Sequence, residues 1–211
     1  MCSHYEAPAP DRVAEIFGVE PFEQGKLDLY PGYTGPFIRR AEHVDDESPA
    51  PMEVLQGAFG LIPTWSKDTK IVRSTYNCRS ETASQKPSFR TAWRKAQHCI
   101  IPAAAIYEPD WRSGEAIATR IARADGEIMG IAGLWEQWRN PGTGETVHSF
   151  TMLTINADDH PFIRNYHKPE DEKRMVVILP QGLYGDWLKA PAGESMEFMR
   201  QYPADRMKVA M

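Results

Sequence analysis

The sequence predicts a strand-dominated α+β fold: a curled, barrel-like, mainly antiparallel sheet with peripheral helices, forming one domain over residues 1–211. Three observations carry this expectation. Apolar and β-branched runs of strand length recur along the chain, punctuated by Gly, Pro and Asn pairs. Seventeen prolines and six tryptophans point to turns and strand edges more than to a helical bundle. A chain of 211 residues with no repeat, low-complexity tract or dividing linker is long enough to bury a core of its own.

In chain order, residues 11–17 predict a short helix with Asp11 at its start and Val13, Ile16 and Phe17 on one side. Residues 29–40 read as a turn, through Pro31-Gly32 and Gly35-Pro36, feeding a strand. The acidic, Pro-punctuated stretch 42–52 is expected as a surface loop. Residues 54–63 (VLQGAFGLIP) are strand-like, with Gly57 and Gly60 marking bends or close backbone approach. A helix capped by Ser88 is predicted over 88–97. Strands follow at 99–107, 116–122, 130–138 and 147–155. Asp125-Gly126 and the run Asn140-Pro141-Gly142-Thr143-Gly144 join the last three into a meander. A short helix at 158–165, a charged loop at 168–173, a strand at 175–179 and helices near 183–189 and 194–201 complete the chain.

Composition narrows the function classes. No run approaches the roughly 18 apolar residues of a membrane span, and the opening MCSHYEAPAPDR lacks an apolar signal stretch. The expectation is a cytoplasmic monomer in which Cys2, Cys78 and Cys99 stay reduced. A net charge of −5 argues against a general nucleic-acid binder, so any DNA contact must rest on local cations and aromatics. GxSxG, P-loop and GxGxxG patterns are absent, and the six histidines show no metal-ligand spacing.

Five residues stand out chemically. If Met1 is removed, Cys2 carries a free α-amine beside its thiol. Such a 1,2-aminothiol condenses with an aldehyde twice, first as a Schiff base and then as a thiazolidine. With ordinary pKa values of about 7.7–8.0 for the amine and about 8.5 for the thiol, both groups are partly active near neutrality. Glu108 ends the apolar run Ile106-Tyr107, where a carboxylate is costly unless paired or functional. Asn77 lies in the small, polar run Tyr76-Asn77-Cys78-Arg79-Ser80-Glu81-Thr82, and its amide can orient an amine or an aldehyde. His160 and His167 flank the predicted helix at 158–165. Taken singly, each of the first three has a more ordinary reading that carries more weight: an incidental terminal cysteine, a strand-end ion pair, a turn asparagine. Cys78 reads as a small packing residue.

Taken in order, the motifs form a pattern: Met1-Cys2, GLIPTW at 60–65, NCRSET at 77–82, CIIPAAAIYEPDW at 99–111, GIAGLWEQW at 130–138, then a His and RMVVIL at 174–179. This order resembles the SRAP (SOS-response-associated peptidase) family over nearly the whole chain, apart from the segment after Leu179. The resemblance implies covalent attachment to abasic sites in single-stranded DNA through a thiazolidine, within the DNA-damage (SOS) response and without an external cofactor. It implies Cys2 as nucleophile, Asn77 as its positioner, Glu108 as the proton shuttle, and His167 as the family histidine. That histidine usually lies two residues before Arg-Met, whereas here residues 168–173 intervene and must loop out. Arg79 and Arg174 match arginines that contact phosphates, Trp65 an aromatic that stacks on a base, and Pro31 a proline that wedges beside the lesion. Ser3 and His4 replace a common Gly-Arg, Phe59 a common Trp, and Thr64 and Pro87 also depart from the pattern, which bears on DNA affinity more than on chemistry. Two rival functions remain at this stage. One is a cysteine peptidase cutting ahead of Cys2 or in other proteins; the other is a non-covalent single-strand binding module.

Overall fold

The computed structural model describes residues 2–42 and 52–210. Its elements are β1 (Tyr5–Glu6), α1 (Pro10–Phe17), β2 (Asp28–Leu29), β3 (Thr34–Arg40), β4 (Met52–Phe59), α2 (Val72–Thr75), β5 (Asn77–Arg79), α3 (Arg90–Arg94), β6 (His98–Ala103), β7 (Ala105–Asp110), β8 (Ile117–Arg123), β9 (Met129–Arg139), β10 (Thr146–Asn156), β11 (Arg174–Val176), β12 (Ile178–Leu179), α4 (Tyr184–Lys189) and β13 (Met207–Val209). Met1 and most of the acidic stretch predicted as a loop lie outside the described residues.

Strands β10, β4, β3, β6 and β9 pair in that order, and β9 pairs back onto β10, closing a five-stranded ring. Every contact around the ring is antiparallel except β4 with β10. The sequence therefore predicted the fold class correctly. Phe37, Phe59 and Phe150 are fully buried, with the Phe37 and Phe59 rings each 5.7 Å from Phe150. Glycines let the ring close. Gly57 comes so near the β10 backbone that a Cβ there would stand 3.1 Å from the His148 carbonyl oxygen. Gly60, at φ +122°, leaves β4 where a Cβ would collide with the Val72 backbone.

A second, open sheet runs β13-β8-β7-β1-β2. The single strand expected over 99–107 is two strands, one in each sheet. The chain crosses between them at Ala104, whose N–H donates to the Glu6 carbonyl oxygen of β1 at 2.8 Å. The run is apolar and buried on both sides of the crossing, so its pattern carries no mark of the switch. The expected meander is also corrected: β9 and β10 form a hairpin, but β8 pairs with β7 and β13 instead of β9.

Local signals account for several ends. Pro10 sits in the first turn of α1, and Gly18, at φ 64°, closes it by donating its N–H to the Ala14 carbonyl oxygen. The helix expected over 88–97 shrinks to α3, without a capping bond from Ser88. The helix expected over 158–165 is a 3-10 turn at Ile163–Asn165, whose leading N–H groups at Phe162 and Ile163 donate to the ring Nδ1 of His160. The strand expected over 175–179 splits at Val177. Its N–H donates to Leu153 and its carbonyl oxygen accepts from Ala132, so one residue ties β10 to β9. Residues 194–201 give a 3-10 segment, Ala192–Phe198, and β13 had no counterpart in the sequence reading. Among the described residues, no helix is long and apolar enough to cross a membrane.

Candidate active site

The open sheet carries the chain's second residue to the edge of the closed ring. β1 pairs with β7 through Tyr5 opposite Ile106, and the Tyr107 N–H donates to the His4 carbonyl oxygen at 2.9 Å. That pairing fixes the segment before β1 alongside Glu108. Cys2 is 1% exposed, and its Sγ lies 3.3 Å from the His4 carbonyl oxygen. From the ring side, β5 lies parallel to β10 and brings Asn77 under the same segment, where its Nδ2 donates to the Cys2 carbonyl oxygen at 2.7 Å.

Glu108 is 2% exposed, and its Oε2 stands 2.8 Å from His167 Nε2. His167 reaches it from a strained backbone: φ is 66°, and its N–H donates to the Pro109 carbonyl oxygen at 2.8 Å. A non-glycine residue persists in that conformation only when its surroundings hold it there. Here the hold comes from β7, since Asp110 also bridges to Tyr166. The insertion after His167 closes on itself. Its Lys173 ammonium is wrapped by the carbonyl oxygens of Lys168, Pro169 and Asp171, and the Lys173 N–H donates to Asp158. His160, by contrast, is a buried structural residue whose Nε2 lies 2.7 Å from the Tyr202 carbonyl oxygen. His98 is similar, sandwiched between the Trp187 carbonyl and the Ser195 hydroxyl.

Burial pushes the Cys2 thiol well above the ordinary thiol range, and the neighbouring Glu108 carboxylate pushes it further. The thiol is thus protonated at rest, and a reaction that needs thiolate must move its proton to a nearby base. Tyr76, which the sequence reading passed over, sits half-buried in the same field. Burial first, then the charges of Cys2 and Glu108, raise its phenol. The only sequence signal for it is its place directly before Asn77.

The site has a buried part and an open part. Cys2, Glu108 and His167 are withdrawn from water, while Arg79, Arg174, Asp171 and Glu172 meet His167 along a groove of about 210 Å³. Arg174 is 3% exposed, with Nη2 donating to Glu81 at 2.9 Å and to the Thr154 carbonyl oxygen at 2.8 Å. Arg79 is half exposed and pairs with Glu172 at 2.7 Å. The strip along this groove is therefore not bare positive charge, because carboxylates pair with both guanidinium groups. Trp65 is not among the residues lining this groove; it is 56% exposed, with its indole N–H donating to the Pro87 carbonyl oxygen at 3.2 Å. Pro31 occupies the Tyr30–Tyr33 turn, which Gly32 completes at φ 92°. Tyr30 of that turn stacks 4.3 Å from the His4 ring, which lies against Tyr107 on its other side. Among the described residues, no group of three or more His, Cys, Asp or Glu side chains is placed to hold a metal ion.

What converges here is a buried near-terminal thiol, an asparagine and a carboxylate–imidazole pair, at the edge of a closed strand ring. The chain belongs to the SOS response associated peptidase (SRAP) family, whose model matches residues 1–211. It is 33% identical over 157 residues to the abasic site processing protein YoaM of Bacillus subtilis, covering 71% of this chain and 64% of that protein. It is 27% identical over 204 residues to the abasic site processing protein HMCES of Gallus gallus, covering 84% of this chain and 58% of the relative. The chain thus spans less than two thirds of these relatives' length. A crystal structure of a Bordetella bronchiseptica protein is 51% identical, with a TM-score of 0.88 and coverage of 99% of this chain and 98% of that one. A Bacteroides thetaiotaomicron structure, at 22% identity and a TM-score of 0.81 over 98% and 90% of the two chains, shares the fold.

Proposed function

We propose that this chain processes abasic sites by capturing them covalently in single-stranded DNA, through a thiazolidine formed by Cys2 once Met1 has been removed. The observation that carries this reading is the convergence of Asn77 on the Cys2 carbonyl at 2.7 Å and of His167 on Glu108 at 2.8 Å beside a buried thiol. The names of the relatives YoaM and HMCES point the same way.

An abasic sugar is mostly a closed hemiacetal. Proton transfer by Glu108 and His167 assists its opening to the C1′ aldehyde. The Cys2 α-amine adds to that aldehyde, and loss of one water gives the Schiff base. The thiol then gives its proton to the adjacent carboxylate–imidazole pair. Its sulfur bonds to C1′, the C=N electron pair returns to nitrogen, and nitrogen takes the proton back from that pair, closing the ring. Amine, thiol and aldehyde become thiazolidine and water, with no redox change and no outside cofactor. Asn77, gripping the Cys2 carbonyl, positions the aminothiol. Arg79 and Arg174 hold the flanking phosphates, Trp65 stacks on a base and Pro31 wedges beside the lesion.

Denaturing electrophoresis tests this directly. The Met1-free protein, mixed with single-stranded DNA bearing one abasic site, gives a heat-stable adduct, and intact DNA gives none. Cys2→Ala abolishes the adduct, while Cys78→Ala and Cys99→Ala keep most of it. An adduct of thiazolidine mass from the Cys2→Ala protein overturns the assignment.

A further inference from the structure

Glu172 belongs to the insertion that separates His167 from Arg174, and its carboxylate spans both arginines of the groove. One oxygen accepts from Arg79 Nη1 at 2.7 Å; the other accepts from Arg174 Nη1 at 2.7 Å and from Asn156 Nδ2 at 3.1 Å. A phosphodiester offers the same thing, two equivalent anionic oxygens set for guanidinium donors. We propose that Glu172 stands in for a DNA phosphate between Arg79 and Arg174, and that a strand must displace it to bind, which makes Glu172 a determinant of which strands the protein holds. The inference rests on the DNA reading above and adds a residue to it.

The surroundings fit a side chain that yields while its loop stays. The loop is pinned at Lys173, whose ammonium bonds three loop carbonyls and whose N–H donates to Asp158. Glu172 itself is one-third exposed and makes its bonds through the side chain alone. Arg174 keeps its place without it, because Glu81 and the Thr154 carbonyl oxygen still hold Nη2. The hydrogen bond from Arg174 holds the Glu172 carboxyl below the usual carboxylate range. It therefore stays charged at working pH and acts by competition, not by protonation. An intact strand gains only non-covalent contacts and bears the full cost of displacing Glu172. A strand with a lesion goes on to a covalent bond. Glu172 thereby widens the gap between the two.

The test is fluorescence anisotropy of a labelled, intact single strand titrated with wild type, Glu172→Gln and Asp171→Asn at several salt concentrations, alongside the abasic adduct assay. Gln keeps the shape and the Asn156 contact but removes the competing charge. Asp171 lines the same groove, so its variant measures the effect of net charge alone. Glu172→Gln should bind about tenfold tighter, the effect of two ion pairs, one to half-exposed Arg79 and one to buried Arg174, that no longer have to be broken. Its plot of log affinity against log salt should steepen by about 0.7, one more neutralised single-strand phosphate. Asp171→Asn should gain no more than about twofold. Unchanged or weaker binding by Glu172→Gln overturns the proposal, as does an equal gain from Asp171→Asn. Tighter binding by Glu172→Gln with no adduct from wild type sinks the covalent reading and leaves the stand-in intact. No measurable affinity in any of the three proteins removes the proposal together with the DNA reading.

Discussion

Cys2, Glu108 and His167 are 1%, 2% and 8% exposed, whereas Arg79 and Glu172 on the other side of His167 keep half and a third of their side chains in water. In the thiol pocket, desolvation dominates and keeps the Cys2 thiol neutral. Along the arginine rim, pairing dominates, with Glu172 and Glu81 drawn to Arg79 and Arg174. The two regions divide the work. Under the proposed function, the rim would recognise charge on a strand and be sensitive to salt, while the pocket would do the chemistry and be shielded from it. Variants in one should leave the other's observable alone.

Glu108→Gln tests the division with the largest effect. It keeps the shape of the side chain and removes the proton acceptor beside His167, so the rate constant for adduct formation should fall by about 10²-fold or more. Affinity for an intact strand should stay within about twofold, because Glu108 is buried away from the groove. Quenched-time-point electrophoresis and anisotropy measure the two. A large loss of affinity for intact DNA would erase the boundary between pocket and rim.

Arg174→Ala and Arg79→Ala sharpen the comparison inside the rim. Arg174 is 3% exposed, and removing it leaves Glu81 and Glu172 without a shared cation and takes one donor from the Thr154 carbonyl. That should cost about 2–3 kcal/mol in denaturant unfolding. Arg79 is half exposed, and its loss should cost under about 1 kcal/mol. Both variants should weaken strand binding. Equal stability losses would show that Arg174 is no more structural than Arg79.

The sequence made the pocket more legible than the rim, for physical reasons. Cys2, Asn77, Glu108 and His167 each sit in or beside a motif, and their chemistry demands particular residue types. The β9–β10 hairpin was legible too, because Asn140-Pro141-Gly142-Thr143-Gly144 can do little except turn. Glu172 was read only as part of a charged loop, since its partner Arg79 lies 93 residues away and local charge patterning carries no sign of that pairing. The switch of sheets at Ala104 left no trace for a similar reason. Periodicity reports burial, and both halves of that strand are buried. Tyr76 was missed because its environment is set by Cys2 and Glu108, which reach it through the fold.

A last prediction separates the two regions by pH. In the rim, burial raises the Glu81 carboxyl, but the Arg174 hydrogen bonds outweigh it and the net shift is downward; Glu172 is lowered chiefly by its Arg174 hydrogen bond. Carboxyls lowered by folding add stability that is present above their unfolded values, about 4.3, and is lost as pH falls. Both are well exposed, so this acid limb should be shallow and should fade in salt. The thiols have the opposite sign. Burial raises Cys2, Cys78 and Cys99, with Glu108 adding to the shift at Cys2 and Glu81 at Cys78. Thiols raised by folding add stability that is fully present below about pH 8.5 and is lost as pH climbs toward the folded values. Between about pH 8.5 and 9.5, below the ordinary phenol range, each buried thiol should contribute up to about 1.4 kcal/mol of loss per pH unit, and salt should barely change it. Denaturant midpoints read across that window, with and without added salt, test both limbs. Cys99→Ala should flatten the alkaline limb by one thiol's share, whatever it costs in packing. An alkaline limb that weakens with salt as the acid limb does would mean that water already reaches the thiols, and the pocket would then be no different in kind from the rim.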